Sequence, residues 1–442
     1  MRRAIMTFPL SRQLSITLSS VICGVSVLFG GAALAGPVDL DTSFAGDGTV
    51  KVADSRWQFT QTVSVHDDVI YAAGNAMGGG SGEFSSWISS VDSSGVPINS
   101  RTYSAWCDGG HFPENRDILV TGEADVLVVG YARGYYETPG YGYIVRLNSD
   151  LTRDTAWSDE SDLECGTPTN GMRYLNSFDL TDVSSATLDS QGRIVLAGSI
   201  FGDFAALRLL DDGTLDDTFG GNGVVRLRSL GSNELSFDVA TTPSDAVLVS
   251  GRSTVPQYGS PQGVIVKLTE TGSLSDSWGN AGTRTFKHHY AQVEHMSILG
   301  DGKLLVGLTS YDQVGVARVL ADGANDSTFT STGRLDIDCR ARRNTVGYES
   351  QLSDLTVHQR QAGGYRVQAY FQCKTPDGLV PRIGGWLNTG SPAHAFNDQG
   401  LVKPPWNMPV ISADVMSDSD TIAVMRGPNG FAELLVRMGT GN

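Results

Sequence analysis

The amino-acid sequence predicts an all-β fold, a seven-bladed β-propeller built from four-stranded blades. Three observations predict it. A phrase that combines aspartate, an aromatic residue and glycine recurs along the chain, and an alternating strand pattern recurs seven times between its copies. The two ends of the chain also carry complementary parts of one repeat.

The composition is compatible with a large folded domain. The chain has 442 residues, of which 40% are hydrophobic and 53 are glycine. This hydrophobic content suffices for a buried core, and the glycine content suits a fold with many tight turns. The 48 acidic residues outnumber the 32 basic ones, which gives a formal net charge of −16. Such a charge repels phosphate groups, so nucleic acid and anionic membrane surfaces are excluded as the main partner.

The recurring phrase is clearest at Leu215–Val225, which contains Asp216, Phe219 and Gly223. Other copies of the phrase, some of them degenerate, begin at Leu40, Asp154, Leu274, Asn325 and His394. Aspartate, asparagine and glycine are the residues that close turns, because their side chains or their conformational freedom suit bent backbone. The phrase therefore indicates a structural turn.

Between these copies a turn is followed by a short strand of alternating residues. The central positions of the seven strands are Ile70, Leu127, Ile194, Val247, Leu304, Arg366 and Ile422. Successive positions are 53 to 67 residues apart, so one repeat is about 59 residues long. A repeat of this length that holds four short strands is typical of a propeller blade.

The best-preserved repeat shows the four strands of a blade. We expect strands at 182–188, 193–198, 204–210 and 223–228, separated by turns that contain aspartate and glycine. No segment shows the sustained 3.6-residue periodicity of a helix.

The ends of the chain predict that the repeats close into a ring. The C-terminal segment 431–441 matches the third strand of the best repeat and stops where the recurring phrase should follow. That missing phrase is found at residues 40–44. We therefore predict that strand 48–52 is the outer strand of the last blade, whose three inner strands lie at about 410–437. A solenoid has capped ends and has no need for such complementary termini.

The repeat also resembles a known family. The strand Gly192–Gly198 and the turn Asp212–Asp216, with Phe219, Gly220 and Gly223 after it, are similar to the delta-60 repeat family of bacterial β-propellers. The resemblance extends over nearly all of residues 37–442. It implies a secreted or envelope propeller, and it brings no set of catalytic residues and no cofactor.

The N-terminal residues 1–35 are predicted to be a signal peptide. Arg2, Arg3 and Arg12 precede an uncharged apolar stretch at 16–29, and Ala33-Leu34-Ala35 supplies the small residues of a cleavage site. A transmembrane anchor is the alternative, but the stretch is short for one. Removal of three arginines changes the charge from −16 to −19. We expect residues 36–442 to form a single propeller domain outside the cytoplasm, periplasmic or extracellular, with no membrane span after cleavage.

Candidate binding residues cluster in the connections of one face of the predicted ring. On this face lie the links between second and third strands and the crossings between blades, which vary in length. The candidates are Tyr135, Tyr136, Tyr141, Arg340, Arg342, Arg343 and Trp406. Aromatic residues offer area and a polar edge to proteins or sugars, and arginines bind carboxylate, sulfate or phosphate. Packing against neighbouring loops is the alternative interpretation.

Four cysteines follow the signal peptide. An even number in an exported chain indicates disulfides, and the spacing does not suit a zinc site. We expect the pairs Cys107–Cys165, at the ends of equivalent outer strands of adjacent blades, and Cys339–Cys373.

Other reactive groups have weaker patterns. Asp41, Asp217 and Asp276 recur in the phrase, and calcium binding by these turns stays an alternative to a turn-closing role. We interpret one group of residues as a solvated crossing between blades, namely His288, His289, Glu294 and His295. A metal site at the central channel is the alternative. We expect no metal site and no catalytic residues, because no nucleophile elbow, zinc-protease motif or phosphate-binding loop is present.

These observations favour a monomeric, non-enzymatic module that binds a protein or glycan in the bacterial envelope or outside the cell. The competing hypothesis is a polysaccharide hydrolase or lyase with paired carboxylates at the mouth of the channel. The fold hosts both classes of protein, so it does not choose between them.

Overall fold

A computed structural model describes most of the chain after residue 39. The described residues are 40–52, 58–77, 84–104, 112–133, 140–157, 171–175, 180, 182–227, 231–254, 260–286, 292–310, 313–339, 350–360, 363–375, 378–393, 396, 400–404, 408–418, 420–426 and 433–439. The predicted signal peptide lies outside them and stays a prediction.

These residues form strands and turns, with no helix among them. In chain order the strands are β1 (Thr49–Lys51), β2 (Gln58–His66), β3 (Val69–Met77), β4 (Phe84–Val91), β5 (Pro97–Ser104), β6 (Phe112–Val120), β7 (Val126–Arg133), β8 (Tyr141–Leu147), β9 (Met172–Tyr174), β10 (Asp182–Leu188), β11 (Ile194–Ile200), β12 (Asp203–Leu209), β13 (Val224–Leu227), β14 (Ser232–Thr241), β15 (Val247–Thr254), β16 (Pro261–Leu268), β17 (Thr283–Phe286), β18 (Gln292–Ile298), β19 (Leu304–Thr309), β20 (Gln313–Val319), β21 (Arg334–Asp338), β22 (Ser350–Gln359), β23 (Tyr365–Thr375), β24 (Gly378–Leu387), β25 (Leu401–Val402), β26 (Val410–Val415), β27 (Thr421–Arg426) and β28 (Glu433–Met438).

The strands form seven antiparallel sheets of four, each of which is one blade. Blades 1 to 6 are β2–β5, β6–β9, β10–β13, β14–β17, β18–β21 and β22–β25, and blade 7 contains β26–β28 with β1. The first strand of each blade contacts the first strand of the next, and β26 contacts β2 in turn. These seven inner strands therefore surround a central channel. The predicted seven-bladed β-propeller is confirmed.

The N-terminal strand closes the ring as predicted. β1 pairs with β28 in antiparallel register, with Thr49 opposite Val436 and Lys51 opposite Leu434. Blade 7 thus takes its outer strand from the start of the chain and its three inner strands from the end. Phe44, which is fully buried, packs in one apolar cluster with residues of blades 7 and 1.

Blade 3 has the four strands that its sequence predicts, to within a few residues. The turn between β10 and β11 forms because Asp189 accepts hydrogen bonds from the backbone amides of Gln191 (2.9 Å) and Arg193 (3.0 Å). Gly192 adopts a positive φ of 76° there, which glycine tolerates without steric cost. Side chains that alternate along β11 then pack against blades 2 and 4.

The recurring phrase forms a turn between the third and fourth strands. The Oδ1 atom of Asp216 accepts hydrogen bonds from the amide (3.0 Å) and the hydroxyl (2.6 Å) of Thr218. Phe219 is fully buried between blades 3 and 4. Gly223 has a φ of 80°, and a Cβ atom there would lie 2.7 Å from the side chain of Leu215. These constraints explain why the same residue types recur.

A buried arginine on the third strand joins this turn to the next blade. The Nε atom of Arg208 lies 2.7 Å from Asp216 Oδ2, its guanidinium carbon is 4.7 Å from the centre of the Phe219 ring, and its Nη1 atom donates to the carbonyl of Glu270 in blade 4 at 2.6 Å. Three further residues repeat the bond to the following blade: Arg146 to the carbonyl of Asp211, Arg318 to that of Asn388, and Arg437 to that of Ser93. We call these four residues the arginine staples.

The arginine staples also form ion pairs with aspartates of the recurring phrase. Partial burial opposes ionisation of Asp326, yet hydrogen bonds from Thr328 and Arg318 lower its pKa to about 2. Asp41, Asp216 and Asp326 each bond to the residue two positions later and pair with an arginine. Asp217 and Asp276 are instead exposed, so their predicted equivalence to Asp41 is wrong by one position. The carboxylates that close the turn are already occupied by protein donors.

We predict that Phe44→Ala lowers the free energy of unfolding by about 3–5 kcal/mol, because it leaves a cavity where β1 meets blades 7 and 1. Denaturant unfolding measures this change. The exposed Thr42→Ala, two residues earlier, serves as control. Equal stability of the two variants would contradict closure through this segment.

We predict that Asp216→Ala lowers the free energy of unfolding by about 3–5 kcal/mol, because it leaves the Arg208 guanidinium buried without its carboxylate. The adjacent Asp217→Ala should stay within about 0.5 kcal/mol of the parent, as an exposed substitution does. The two denaturation midpoints test the staple, and a similar loss in both variants would refute it.

Candidate functional site

The two ends of the ring differ in their connections. One end carries the turns from first to second and from third to fourth strands, which we call the stereotyped face. The other end carries the links from second to third strands and the crossings between blades, which we call the variable face. Antiparallel strand order dictates this division.

The most regular connections are the first-to-second turns of the stereotyped face, which have five residues in six of the seven blades. Third and fourth strands are joined by 14 residues each in blades 3, 4 and 5, at 210–223, 269–282 and 320–333, whereas the same connection has 5 residues in blade 1 and 24 in blade 2. On the variable face, the link at 201–202 has two residues and the crossing at 339–349 has eleven. Arginine staples pair with Asp216 and Asp326 in the first and third of the 14-residue connections, whereas Lys267 takes the corresponding position in blade 4.

Of the seven predicted binding residues, the structure describes one, Tyr141. Tyr141 begins β8 and is 8% exposed. Its ring packs edge-on against Tyr174, with 4.9 Å between ring centres, inside the core around blade 2. It is therefore a core residue, and its predicted place on a binding surface is wrong. The other six candidates, Tyr135, Tyr136, Arg340, Arg342, Arg343 and Trp406, lie outside the described residues.

One predicted disulfide is present. Cys339 and Cys373 are joined with an S–S distance of 2.03 Å and a Cα–Cα distance of 5.1 Å. Both are buried, at 5% and 8% exposure. The bond connects the end of the outer strand of blade 5 to the second strand of blade 6, at the variable face. It anchors the residue directly before Arg340.

The strand order corrects the basis of the second predicted pair. Cys107 follows β5, the outer strand of blade 1, but Cys165 lies in the chain between β8 and β9, before the outer strand of blade 2. The two cysteines thus do not end equivalent strands. Both lie outside the described residues, so their pairing stays a prediction.

The channel wall contains a ring of polar residues. Each of the seven inner strands has a β-bulge at the same depth, and a bulge redirects the side chain that follows it. The residues at this position are Thr62, Asp117, Ser185, Asp238, His295, Asp354 and Ser412. We call them the channel ring.

The carboxylates of the channel ring connect successive blades. Asp117 accepts the amide hydrogen of Ala186 (3.0 Å), Asp238 that of Met296 (2.6 Å) and Asp354 that of Ala413 (2.8 Å). Each of these amides belongs to the inner strand of the following blade. An inner strand has an open edge toward the channel, and the carboxylates satisfy donors on that edge.

Ser185 lies between two carboxylates. Its hydroxyl oxygen is 3.0 Å from Asp117 Oδ2 and 3.0 Å from Asp238 Oδ1. One hydroxyl hydrogen serves only one strong hydrogen bond, so the arrangement is best satisfied when one carboxyl group is protonated. Enclosure in the channel wall agrees with this, because it raises the pKa of Asp117 to about 7 and also raises that of Asp238.

Two members of the predicted histidine group are described, both on inner strand β18. His295 Nδ1 lies 3.9 Å from Asp354 Oδ1, and the histidine side chain is 32% exposed to the channel. Burial disfavours the imidazolium ion, but Asp354, Asp238 and Glu294 together raise the pKa of His295. Within the described residues no three histidine, cysteine or acidic side chains converge as metal ligands. His288 and His289 lie outside them.

The enzyme hypothesis requires a pair of neighbouring carboxylates. Asp117 and Asp238 are such a pair, because both contact the hydroxyl group of Ser185. Each also accepts the amide of its own following residue, at 2.9 Å from Ile118 and 2.8 Å from Val239. Their oxygens are thus engaged in joining blades. This arrangement stabilises the channel wall and differs from a carboxylate pair open to a sugar substrate.

A different residue on the variable face was missed by the sequence patterns. Phe201, at the tip of the two-residue link between β11 and β12, is 66% exposed and has a φ of 49°. The guanidinium carbon of Arg226 lies 5.1 Å from the centre of its ring. A Phe-Gly pair in a hairpin that normally takes Asn-Gly was the available signal.

A β-propeller family model matches two parts of the chain. It is described as a domain of unknown function (DUF5122) beta-propeller, and it matches residues 118–156 and 190–219, in blades 2 and 3. The match supports a relation to this propeller family, while the finer delta-60 assignment stays a prediction. Among curated proteins, none matches the sequence.

Several solved structures are similar to this chain. Virginiamycin B lyase from Staphylococcus aureus is 10% identical with a TM-score of 0.46, covering 88% of this chain and 98% of that chain. Drosophila Semaphorin 1b is 8% identical with a TM-score of 0.48, covering 91% and 87%. The propeller domain of the Trilobed protease from Pyrococcus furiosus is 8% identical with a TM-score of 0.43, covering 87% and 94%.

No helix among the described residues is long and apolar enough to cross a membrane.

We predict that stability falls as the pH rises from about 4 to about 7. An unfolded aspartate releases its proton near pH 4, whereas native Asp117 retains its proton up to about pH 7. Unfolding in this interval therefore releases protons, and each such group lowers stability by at most about 1.4 kcal/mol per pH unit. The raised pKa of His295 acts in the same direction.

Denaturant unfolding at pH 5 and pH 7.5 measures this slope. Asp117→Asn should flatten it, because the amide does not titrate, and the exposed Asp217→Asn should leave it unchanged. Identical slopes for the parent and Asp117→Asn would show that Asp117 is ionised throughout.

Proposed function

We propose that the protein is exported and acts as a non-enzymatic binding module, with a protein or a glycan of the bacterial envelope or the extracellular space as its ligand. The ligand contacts the variable face. This proposal keeps the chain outside the cytoplasm, in the periplasm or beyond the cell, and treats the propeller as a monomeric platform.

The observation that carries the proposal is the contrast between the two faces. The third-to-fourth connections of blades 3, 4 and 5 have the same length, and arginine staples join the stereotyped face across several blade junctions. On the variable face the second-to-third links have two to seven residues and the crossings between blades have four to eleven. On a rigid scaffold, ligand contacts concentrate in connections whose variation the fold does not require.

The disulfide supports both the location and the compartment. Disulfides persist in oxidising environments, so Cys339–Cys373 suits a chain that leaves the cytoplasm. The bond holds Cys339 in the core between blades 5 and 6. Arg340, Arg342 and Arg343 follow it directly in the sequence, and an anchored backbone reduces the entropy that a binding segment loses when it contacts its ligand.

The described channel carboxylates support binding over catalysis. Their oxygens accept hydrogen bonds from backbone amides of neighbouring blades, at Asp117, Asp238 and Asp354. A hydrolase would need one carboxyl group free to protonate a leaving group and a second free to act on the sugar or water. We therefore keep polysaccharide hydrolysis or cleavage as the second candidate only.

We predict that crosslinked affinity capture from the envelope of the source organism recovers a ligand with the mature protein as bait. A variant with Tyr135→Ala, Tyr136→Ala, Arg340→Ala and Arg342→Ala should lose at least about nine-tenths of it, since loss of central aromatic and arginine contacts typically costs more than a kilocalorie each. Quantitative mass spectrometry and glycan staining measure the loss.

A matched control changes exposed residues of the opposite face, namely Thr42→Ala, Asp217→Ala, Asp276→Ala and Ser277→Ala. This variant should retain the ligand. Retention by the first variant as well would leave a binding role but reject these residues. If neither bait enriches a ligand, and purified protein depolymerises an envelope polysaccharide, the enzyme hypothesis replaces the present one.

A further inference from the structure

A two-residue connection on the variable face holds an aromatic residue in a conformation that aromatic residues seldom adopt. Ile200 pairs with Asp203, so Phe201 and Gly202 alone form the turn. Both have positive φ values, 49° for Phe201 and 79° for Gly202. Asparagine, aspartate or glycine is the usual residue at the first position, because a larger side chain is strained there.

Packing does not account for this strained phenylalanine. Its side chain is 66% exposed, the largest value among the exposed large hydrophobic residues that the structure describes. It is also the one aromatic residue in that set. A residue that is both strained and exposed to water is disfavoured on two counts, and such outliers concentrate at binding sites.

A fixed ion pair lies against the phenylalanine. Arg226 on β13 contacts the ring with its guanidinium group, 5.1 Å from the ring centre. Its Nε and Nη2 atoms each lie 2.7 Å from Asp203 Oδ2 on β12. Both side chains are partly exposed, at 24% and 21%. The pair orients the arginine, and the opposite charges compensate each other.

We propose that Phe201, Arg226 and Asp203 form a binding site for a neutral pyranose unit of a glycan, an inference that rests on the proposed function of the variable face. The apolar C–H face of the sugar ring stacks on Phe201. Its hydroxyl groups accept hydrogen bonds from Arg226 and donate them to Asp203. No covalent step is involved.

The surroundings favour a sugar over a protein side chain. A protein anchor residue works when neighbouring contacts exclude water around it, whereas Phe201 is flanked by a charged pair. Acidic sugars are disfavoured, because the pair has no net charge and the mature chain carries about −19 over its length. A neutral pyranose combines an apolar face with a polar rim and matches both parts of this site.

The test is binding of the mature protein to a panel of neutral oligosaccharides of four to eight pyranose units, by saturation-transfer NMR and calorimetry. We expect one or more members of the panel to bind and to receive saturation from phenylalanine ring protons. Phe201→Asn should weaken that binding at least tenfold, and Phe201→Tyr should retain it within about threefold. Leu379→Asn is the matched control, since Leu379 is another exposed hydrophobic residue on the variable face.

Stability provides an independent readout. Asparagine tolerates positive φ, so Phe201→Asn should melt at the same temperature as the parent or higher. A clear drop in melting temperature would assign Phe201 a structural role and overturn the inference. So would binding that is equal in the parent and Phe201→Asn, or no binding to any neutral saccharide.

The outcomes separate this inference from the proposed function. Capture of an envelope protein on the variable face, with no neutral saccharide bound, overturns the sugar site and preserves the binding module. Turnover of a polysaccharide overturns the binding module itself.

Discussion

Each blade of this propeller has two apolar faces and an inner edge of unpaired backbone groups, and the ring must close for all of them to be covered. Closure depends on a strand of only three residues, β1, paired with β28. Arg437 reinforces it, because its guanidinium group contacts Asp41 near the start of the chain and the carbonyl of Ser93 in blade 1. Blades 2, 3 and 5 use the same bond between an arginine and the next turn, so this interaction crosses four of the seven blade boundaries.

The open edges of the inner strands are covered by a second set of hydrogen bonds, which lies in the channel wall. Carboxylates placed after a β-bulge accept amide hydrogens from the following blade. Across the closure, Asp414, two residues beyond the bulge position at Ser412, accepts the amide hydrogen of Val65 at 2.7 Å. The channel encloses these groups, and burial raises the pKa of Asp414 to about 6. Satisfying backbone donors in this way makes part of the wall sensitive to pH. The staples behave in the opposite way, since the hydrogen bonds that lower the pKa of Asp326 favour its charged form.

The two faces of the ring therefore serve different purposes. The stereotyped face repeats one turn whose aspartate, aromatic residue and glycine are required by hydrogen bonds, packing and positive φ. The variable face is free of that requirement, and there the chain accepts strain at Phe201 and anchors a crossing with the Cys339–Cys373 disulfide. Rigidity on one side allows irregular contacts on the other without loss of the fold.

Repetition is what allowed the sequence by itself to determine the fold of this protein. The turn residues around Asp189 and Asp216 act on neighbours in the chain, so their pattern predicted strands, blade number and the closing role of residues 48–52. Contacts between blades have no such local pattern. Only the tertiary structure decided that Tyr141 is buried, that Asp216 rather than Asp217 pairs with Arg208, and that Asp117, Ser185 and Asp238 meet in the channel. Asp117 and Asp238 are 68 and 53 positions from Ser185, and Asp216 and Asp217 are adjacent residues of one turn, so no local pattern in the sequence distinguishes their contacts.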